Sequence, residues 1–274
     1  MFSFLAIPFP MIDPVLLQLG PVAIRWYSLS YIAGILLGWW YAGYLNKKPP
    51  IVFSKKAYDD VVVWIILGII LGGRLGYILF YNLPHYLESP AEMLAVWQGG
   101  MSFHGGMIGL VTAMYIFSRK HNMRFLALVD IVSCVAPIGI FLGRIANFIN
   151  GELYGRTTDV PWAVIFPRGG DLPRHPSQIY EALLEGLAIL LILFIVANFT
   201  KARQKEGMLS GMFLVFYGIF RCFVEFFREP DAQLGFIFGG ITMGQLLCIP
   251  MILLGIGLIV RAIIKNESET PAAG

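Results

Sequence analysis

Long apolar runs separated by short polar or charged segments make up most of this chain. The runs fall at residues 26–45, 59–81, 103–118, 125–142, 179–199, 208–227 and 241–262. Most of them approach the about 20 residues that an α-helix needs to cross a bilayer. Backbone groups in hydrocarbon must be satisfied within each segment, and the runs are too long for barrel strands. The pattern therefore predicts an all-α integral membrane protein with about seven transmembrane helices.

The composition agrees with this prediction. The chain has 274 residues, of which 57% are hydrophobic and 14% charged, whereas a soluble domain carries about 25% charged residues. A net charge of +3, spread along the chain, argues against a nucleic-acid partner. The three cysteines lie inside apolar runs without metal-ligand or disulfide spacing, so we interpret them as packing residues.

The lysines define an orientation. All of them lie in the first, third and fifth connections between runs or in the C-terminal tail. By the positive-inside rule these segments are cytoplasmic, which places the N-terminus outside and the C-terminus inside. The predicted organisation is an outer interfacial segment (1–25), a transmembrane bundle (26–262) with an outer excursion at about 143–178, and a cytoplasmic tail (263–274).

The basic residues on the opposite side are all arginines. They are Arg25, Arg74, Arg144, Arg156, Arg168, Arg174, Arg221 and Arg228. A guanidinium group binds phosphate or carboxylate with two parallel hydrogen bonds, which lysine cannot do. Any single arginine is explained by anchoring at the lipid headgroups. The whole set favours a shared anionic ligand or paired carboxylates.

The sixth run carries a charged stripe in the segment YGIFRCFVEFFRE. Tyr217, Arg221, Glu225 and Arg228 follow one another at spacings that put them on one helical face. Arg221 and Glu225 are expected to pair, and Arg228 is expected to lie beyond that pair, free for a ligand. A purely structural ion pair is the alternative, but charges inside a membrane usually have a function.

A histidine and an amide-rich segment mark two other outer run ends. His104 lies within GGMSFHGGMIG, where the glycines leave space around an imidazole suited to a general base at neutral pH. A hydrogen-bonded packing histidine is the alternative. GRIANFINGELYGR gathers Arg144, Asn147 and Glu152, which favours a headgroup site over a merely well-bonded helix end.

The segment RHPSQIYE opens the fifth run. Ser177 is expected to be the N-cap of the helix, because Pro176 disfavours helix before it. His175, Gln178 and Glu181 are expected near the outer surface. Glu185, one turn deeper, is expected to pair with an arginine such as Arg74. With Tyr27 of the first run, these groups predict one site toward the outer leaflet. An anion transporter or channel is the alternative function, although we find no internal repeat.

These residues carry a family resemblance. The segments DPVLLQLGPVAIRWYSLSY, GGRLGYILFYN, GGMSFHGGMIG, GRIANFINGELYGR, RHPSQIYE, YGIFRCFVEFFREPDAQLG and MGQLLCIPM resemble those of prolipoprotein diacylglyceryl transferases. GRIANFINGELYGR matches the family signature closely. The outer segment 157–173 is shorter than in some members.

The resemblance implies a transferase of the bacterial cytoplasmic (inner) membrane without metal or cofactor. It would move sn-1,2-diacylglyceryl from phosphatidylglycerol to the lipobox cysteine thiol of a prolipoprotein signal peptide and release glycerol 1-phosphate. The implied catalytic residues are His104, Arg144, Tyr217, Arg221 and Glu225. The implied lipid-binding residues are Tyr27, Arg144, Asn147, Glu152, Gly155 and Arg228, supported by Arg74, His175, Gln178 and Glu181.

The chemistry of the residues agrees with that reaction. A free thiol is only a few per cent ionised at pH 7, so a base would assist it. Arginines would hold the lipid phosphate and stabilise the charge of the departing phosphate monoester. We hypothesise that Arg144 and Arg221 hold the phosphate and that Glu225 orients Arg221. Either His104 or Tyr217 would help to deprotonate the thiol.

Overall fold

The structure is a computed structural model that describes residues 6–229, 236–238 and 241–269. The first residues of the predicted outer segment, the end of the predicted tail and residues 230–235 of the sixth-run motif lie outside the described residues. The helices are α1 (Trp26–Asn46), α2 (Lys55–Tyr81), α3 (Leu83–Glu88), α4 (Phe103–Lys120), α5 (Phe125–Ile149), α6 (Ser177–Phe199), α7 (Met208–Val224) and α8 (Met243–Glu269). Each predicted apolar run thus contains a helix, although the helix in run 208–227 ends at Val224 and the helix in run 241–262 begins at Met243.

Four helices within the described ranges are long and apolar enough to cross a membrane. They are α2, α5, α6 and the Met243–Lys265 part of α8, and α7 is a shorter apolar helix. A chain with several such helices is a multi-pass membrane protein. The predicted ends were less accurate, because α5 continues to Ile149 and α7 already stops at Val224.

Short strands form three two-stranded sheets that the sequence analysis did not predict. β1 (Ile7–Pro8) pairs in parallel with β4 (Val164–Ile165). β2 (Val15–Leu19) and β3 (Val22–Arg25) form an antiparallel hairpin, as do β5 (Phe236–Phe238) and β6 (Ile241–Thr242). Strands of two to five residues are too short to leave a period-two pattern in the sequence.

The chain divides into two compact units, Met1–Leu45 with Asp130–Gly274, and Asn46–Val129. In the first unit, buried side chains of α1, α5, α6 and α7 meet in one core. Its members are Tyr41, Leu45, Cys134, Ile189, Leu193, Ala197 and Leu209. Asp130 is buried and accepts hydrogen bonds from the amides of Gly207 and Ser210, both at 2.8 Å, so α5 caps the start of α7.

In the second unit, glycines let α2 and α4 pack backbone against backbone. Gly68, Gly72 and Gly76 recur every four residues along α2 and face Gly105 and Gly109 of α4. A methyl group on Gly76 would lie 2.8 Å from the Cα of Gly105, which is too close for any side chain. Small residues at this spacing are a common means of helix packing in membranes. The glycines around His104 therefore serve helix contact, at least in part.

Candidate active site

Helix α6 supplies two carboxylates to the first unit from a distorted stretch of helix. Glu181 directly precedes the π-helical turn Ala182–Ala188, and Glu185 lies within it. Both side chains are fully buried. Within that turn, a side chain on Gly186 would lie 2.7 Å from the Cα of Phe141, so α6 lies directly against α5. Single π turns occur mostly at functional sites, where they redirect side chains.

Glu181 is the centre of a group of ion pairs. Its Oε2 lies 2.8 Å from Nε of Arg144, and its Oε1 lies 3.1 Å from Nη1 of Arg221 and 2.8 Å from Nη1 of Arg228. Three guanidinium groups from α5, α7 and the turn after α7 therefore converge on one carboxylate. We call Arg144, Glu181, Glu185, Arg221, Glu225 and Arg228 the arginine–glutamate cluster.

The other two glutamates of the cluster are bound less evenly. Glu225 lies 2.8 Å from Nη2 of Arg221 and accepts a hydrogen bond of 3.0 Å from the hydroxyl of Thr242. The predicted Arg221–Glu225 pair is therefore confirmed. Glu185 makes only longer contacts, 3.6 Å to Arg144 and 3.7 Å to Arg221. With three positive and three negative side chains, the cluster is formally neutral.

One prediction about these side chains is wrong, and another is confirmed only in part. Arg228 is not free for a ligand, because it is bound to Glu181, a fully buried residue of α6. Glu185 contacts arginines as expected, but they are Arg144 and Arg221 and not Arg74, the arginine named as an example. Linear spacing cannot predict either pair, because the partners are contributed by helices far apart in the chain.

A second polar group lies where α5 ends. Glu152 accepts hydrogen bonds from the side-chain amides of Asn147 at 2.8 Å and Asn150 at 3.2 Å. The backbone carbonyl of Glu152 accepts a hydrogen bond of 2.6 Å from the side-chain amide of Gln178. The end of α5 is thus tied to the start of α6. Tyr27 of α1 is close enough to Glu152 and Arg144 to interact with both electrostatically.

Ser177 is part of the same connection but does not cap α6. The N-cap position is Pro176, and the hydroxyl of Ser177 instead donates to the carbonyl of Leu153 at 3.0 Å. The prediction of an N-cap serine is therefore wrong by one residue. The hydroxyl ties the loop 150–155 to the start of α6.

The outer segment after α5 is attached to the end of α7 through backbone contacts. The amide of Arg156 donates to the carbonyl of Phe227 at 2.9 Å, and its Nε donates to the carbonyl of Arg228 at 2.8 Å. Gly155 lies directly before Arg156 and forms an isolated β-bridge with Arg228. A side chain there would come within 2.8 Å of the Cβ of His175. Gly155 is thus required by close backbone packing beside Arg228.

His175 lies beside the same backbone and takes part in a short hydrogen-bonded row. Its Nδ1 lies 3.1 Å from the hydroxyl of Tyr180, which accepts a bond of 2.6 Å from Nε1 of Trp162. Partial burial lowers the pKa of His175 below its usual value. The imidazole is therefore neutral at pH 7 and supports the outer segment rather than adding positive charge.

In the second unit, His104 lies in the first turn of α4 with an exposed side chain. Ser102 caps this helix by accepting from the amide of Gly105 at 3.2 Å. Arg74 is buried in α2 and donates to backbone carbonyls of Glu92, Met93, Gly99 and Gly100. Its predicted role as the partner of a carboxylate is wrong.

Comparisons with known proteins identify the chain. A family profile described as prolipoprotein diacylglyceryl transferase matches residues 14–261. The chain belongs to the prolipoprotein diacylglyceryl transferase family.

Individual relatives agree over nearly the whole length. A protein of Rhodospirillum rubrum is 55% identical over 259 residues, covering 94% of both chains. A protein of Paramagnetospirillum magneticum is 53% identical over 94% of this chain and 96% of its own. One of Rhodospirillum centenum is 52% identical over 97% of both chains. All three are named phosphatidylglycerol–prolipoprotein diacylglyceryl transferase.

For this member of the diacylglyceryl transferase family, the structure brings most of the predicted site residues together in the first unit. Arg144, Arg221, Glu225, Arg228 and Glu181 form direct contacts in the arginine–glutamate cluster. The hydroxyl of Tyr217 interacts electrostatically with Arg144, Arg221 and both α6 glutamates. Hydrogen bonds hold together the segments next to the cluster, and they involve Asn147, Glu152, Gly155, His175 and Gln178. His104 and Arg74 belong to the second unit.

Sequence reasoning did not identify every member of the site. Thr242 and Gly244 surround the carboxylate of Glu225, and a side chain on Gly244 would lie 2.8 Å from it. Both residues stand in an apolar run, and no signal in their local sequence separates them from packing residues. Glu185 could have been assigned from its spacing of four to Glu181, which puts both on one helical face.

The cluster has the chemical properties of an anion site. Its arginines are held in place by buried carboxylates, and the Arg144 side chain keeps 20% of its surface exposed. A guanidinium that is bound along one edge can present its remaining N–H groups to a phosphate. Fixed positive groups of this kind stabilise a charge that develops on a leaving group.

Proposed function

We propose that this chain transfers a diacylglyceryl group from phosphatidylglycerol to the cysteine thiol of prolipoproteins in the bacterial cytoplasmic membrane. Family membership and the names of relatives more than half identical to it support this activity. The observation that carries the site assignment is the convergence of three arginines on the buried Glu181. No other activity is favoured by the described residues.

In the proposed reaction, the thiol sulfur attacks the glyceryl carbon that is bonded to the phosphate oxygen. A C–S bond forms, the C–O bond breaks, and its electron pair leaves with glycerol 1-phosphate. The thiol proton passes to a base. The products are the diacylglyceryl thioether and the phosphate monoester, so atoms and charge balance without an oxidant, a reductant or a metal.

Arg144 and Arg221 are the proposed phosphate ligands. Both are oriented by Glu181, and Arg221 is also held by Glu225 at 2.8 Å. Because these carboxylates are fixed, the guanidinium groups do not have to reorganise when charge grows on the leaving oxygen. Arg228 is bound to the same oxygen of Glu181 as Arg221 and completes the positive group beside the outer segment.

His104 is the proposed base, and Tyr217 is the proposed hydrogen-bond donor. An imidazole accepts a proton near neutral pH, since its ordinary pKa is about 6.5. A phenol with an ordinary pKa of about 10 is already protonated at that pH, so it can donate a hydrogen bond but cannot take up the thiol proton. Full transfer activity of His104→Ala together with loss of activity in Tyr217→Phe would reverse this assignment.

Seven spans with the N-terminus outside, the C-terminus inside and the site toward the outer leaflet form the proposed topology. It follows from the positions of the lysines, and the apolar helices described support a multi-pass arrangement. On intact cells, a membrane-impermeant thiol reagent is expected to label Asp171→Cys and not Lys47→Cys, relative to the unsubstituted chain. The opposite pattern would invert the topology and move the site to the cytoplasmic side.

A transfer assay tests the activity itself. Purified protein in detergent is mixed with phosphatidylglycerol and a lipobox peptide, and the peptide mass is followed. We expect a diacylglyceryl mass increment that disappears with a Cys→Ser peptide and with Arg221→Ala. Absence of the increment, beside an active reference preparation, would contradict the proposal and make anion flux in liposomes the next test.

A further inference from the structure

Arg74 is a buried cation whose hydrogen bonds, in the described part of the chain, go to backbone carbonyls rather than to a carboxylate. Only 4% of its surface is exposed. Nε donates to the carbonyl of Met93 at 3.0 Å, and Nη2 donates to that of Glu92 at 2.6 Å. Nη1 donates to the carbonyls of Gly99 at 2.5 Å and Gly100 at 3.3 Å. One rigid planar group thus makes four hydrogen bonds through its three nitrogens, a geometry that lysine cannot supply.

These carbonyls belong to a connection without regular helix or strand. Between α3 and α4, residues 89–102 contain only two short 3-10 turns, Pro90–Leu94 and Val96–Gln98. Gly99 and Gly100 both have positive φ, at +87° and +75°. Four backbone hydrogen bonds close these turns within the segment, and the guanidinium of Arg74 adds four more from outside it. The ring of Tyr86 lies 5.1 Å below the guanidinium and completes the contact.

The connection leads directly to the start of α4. Two residues after Gly100, the amide of Ser102 donates to the carbonyl of Gly73 at 2.9 Å, and Ser102 then caps α4. His104 follows two residues later, in the first turn. The carbonyl of Gly73 and the guanidinium of Arg74 thus hold the chain directly before the start of α4. Only four peptide bonds separate the Arg74-bound carbonyl of Gly100 from His104.

We propose that Arg74 is a positioning residue for the transfer reaction, which acts by fixing the 89–102 connection and thereby the position of His104. The proposal rests on the proposed function, in which His104 is the base. It removes Arg74 from the candidate phosphate ligands, because its N–H groups already bind carbonyls. A displacement of about 1 Å at a reacting group lowers a rate by up to about a hundredfold.

The first test compares Arg74→Lys with the unsubstituted chain in the transfer assay. Lysine keeps the charge but cannot bind four carbonyls in one plane. We expect kcat to fall by between about tenfold and about a hundredfold, with the KM for phosphatidylglycerol changed by less than about twofold, since Arg144 and Arg221 are untouched. Amides of residues 92–102 should exchange hydrogen faster in Arg74→Lys. An unchanged kcat would overturn the proposal.

A double-mutant cycle separates action through His104 from a general loss of structure. In the His104→Ala background, Arg74→Lys should lower activity by less than about twofold, because the group that it positions is absent. Equal losses in both backgrounds would assign Arg74 a merely structural role. Full activity of His104→Ala would remove the base role and this inference with it. Failure of the proposed transfer site would be seen instead as full activity of Arg221→Ala.

A pair of glycine variants reaches the same contact from its other side, in case Arg74→Lys does not fold. A side chain on Gly100 would lie 3.0 Å from Nη1 of Arg74 and 2.6 Å from the ring of Tyr77, whereas one on Gly170 in the outer segment would meet nothing within 4 Å. Gly100 and Gly170 have nearly the same positive φ, +75° and +77°, so Gly170→Ala reports that strain without changing the 89–102 connection. We expect Gly100→Ala to lose at least about five times more activity than Gly170→Ala, in line with Arg74→Lys. Equal losses would overturn the proposal.

Discussion

Replacing Glu181 by glutamine removes one negative charge from the centre of the arginine–glutamate cluster and keeps the size of the side chain. Three guanidinium groups then lose a shared partner at 2.8, 3.1 and 2.8 Å. The carboxylate is fully buried, so water cannot replace it. Glu185 cannot take over without movement, because its contacts to Arg144 and Arg221 are already 3.6 and 3.7 Å long.

Removing one partner of a buried ion pair costs about 3–5 kcal/mol, because the other partner stays buried and uncompensated. At about 1.4 kcal/mol for each factor of ten, the unfolding equilibrium of Glu181→Gln should shift by two to four orders of magnitude. Transfer activity should fall as well, since both proposed phosphate ligands are oriented by this carboxylate. The stability is measured by denaturant unfolding in mixed micelles, and the activity by the mass assay.

Glu229→Gln is the matched control. Glu229 pairs with Arg174 at 3.0 Å, but its side chain is 51% exposed. An exposed pair contributes about 0–1 kcal/mol, so this variant should unfold nearly as the unsubstituted chain does. If Glu181→Gln costs no more than Glu229→Gln, the ion pairs of the cluster do not hold the site together, and the reasoning is refuted.

Three further predictions follow from the described contacts. Gly244→Ala should lower kcat by at least about tenfold, because its methyl group would lie 2.8 Å from the carboxyl of Glu225. Gly257→Ala in the same helix would meet nothing within 4 Å and should keep full activity. Equal activity of the two variants would contradict the role of Glu225. Asp130→Asn should reduce the free energy of unfolding by about 1–3 kcal/mol, because one of two buried backbone amides at the start of α7 loses its acceptor. An unchanged unfolding midpoint would exclude a stabilising role of Asp130 as the cap of α7. Burial lowers the folded-state pKa of His175, so the unfolded chain binds the proton more readily than the folded chain. The free energy of unfolding should therefore fall as the pH drops below about 6.5. Thermal midpoints at pH 7.5 and 5.5 should differ less in His175→Gln than in the unsubstituted chain.

Much of the site could be read from side-chain chemistry along the chain. The choice of arginine on one side, the Arg221–Glu225 spacing and the density of amides between Arg144 and Glu152 all indicated an anion site before any contact was known. These signals work because a charged or amide group inside a membrane protein needs a partner, and helical periodicity states which neighbours are within reach.

The pairings across helices were beyond that reasoning. Arg228 was expected to be free and is bound to Glu181, whereas Glu185 was expected to meet an arginine such as Arg74 and meets Arg144 and Arg221 instead. A π turn in α6 decides where both glutamates point, and no residue preference identifies it in the sequence. The buried carbonyls that engage Arg74 likewise exist only once the 89–102 connection has folded.

The sequence by itself determined the helices of this protein, its membrane character and the kinds of groups in its site. Those properties depend on composition and on local periodicity, which are linear features of the chain. The tertiary structure alone decided that three arginines meet at Glu181 and that the hydrogen bonds described for Arg74 go to backbone carbonyls. Such pairs join residues that are distant in sequence, and their energies depend on distances of a few ångströms in a buried, water-poor space.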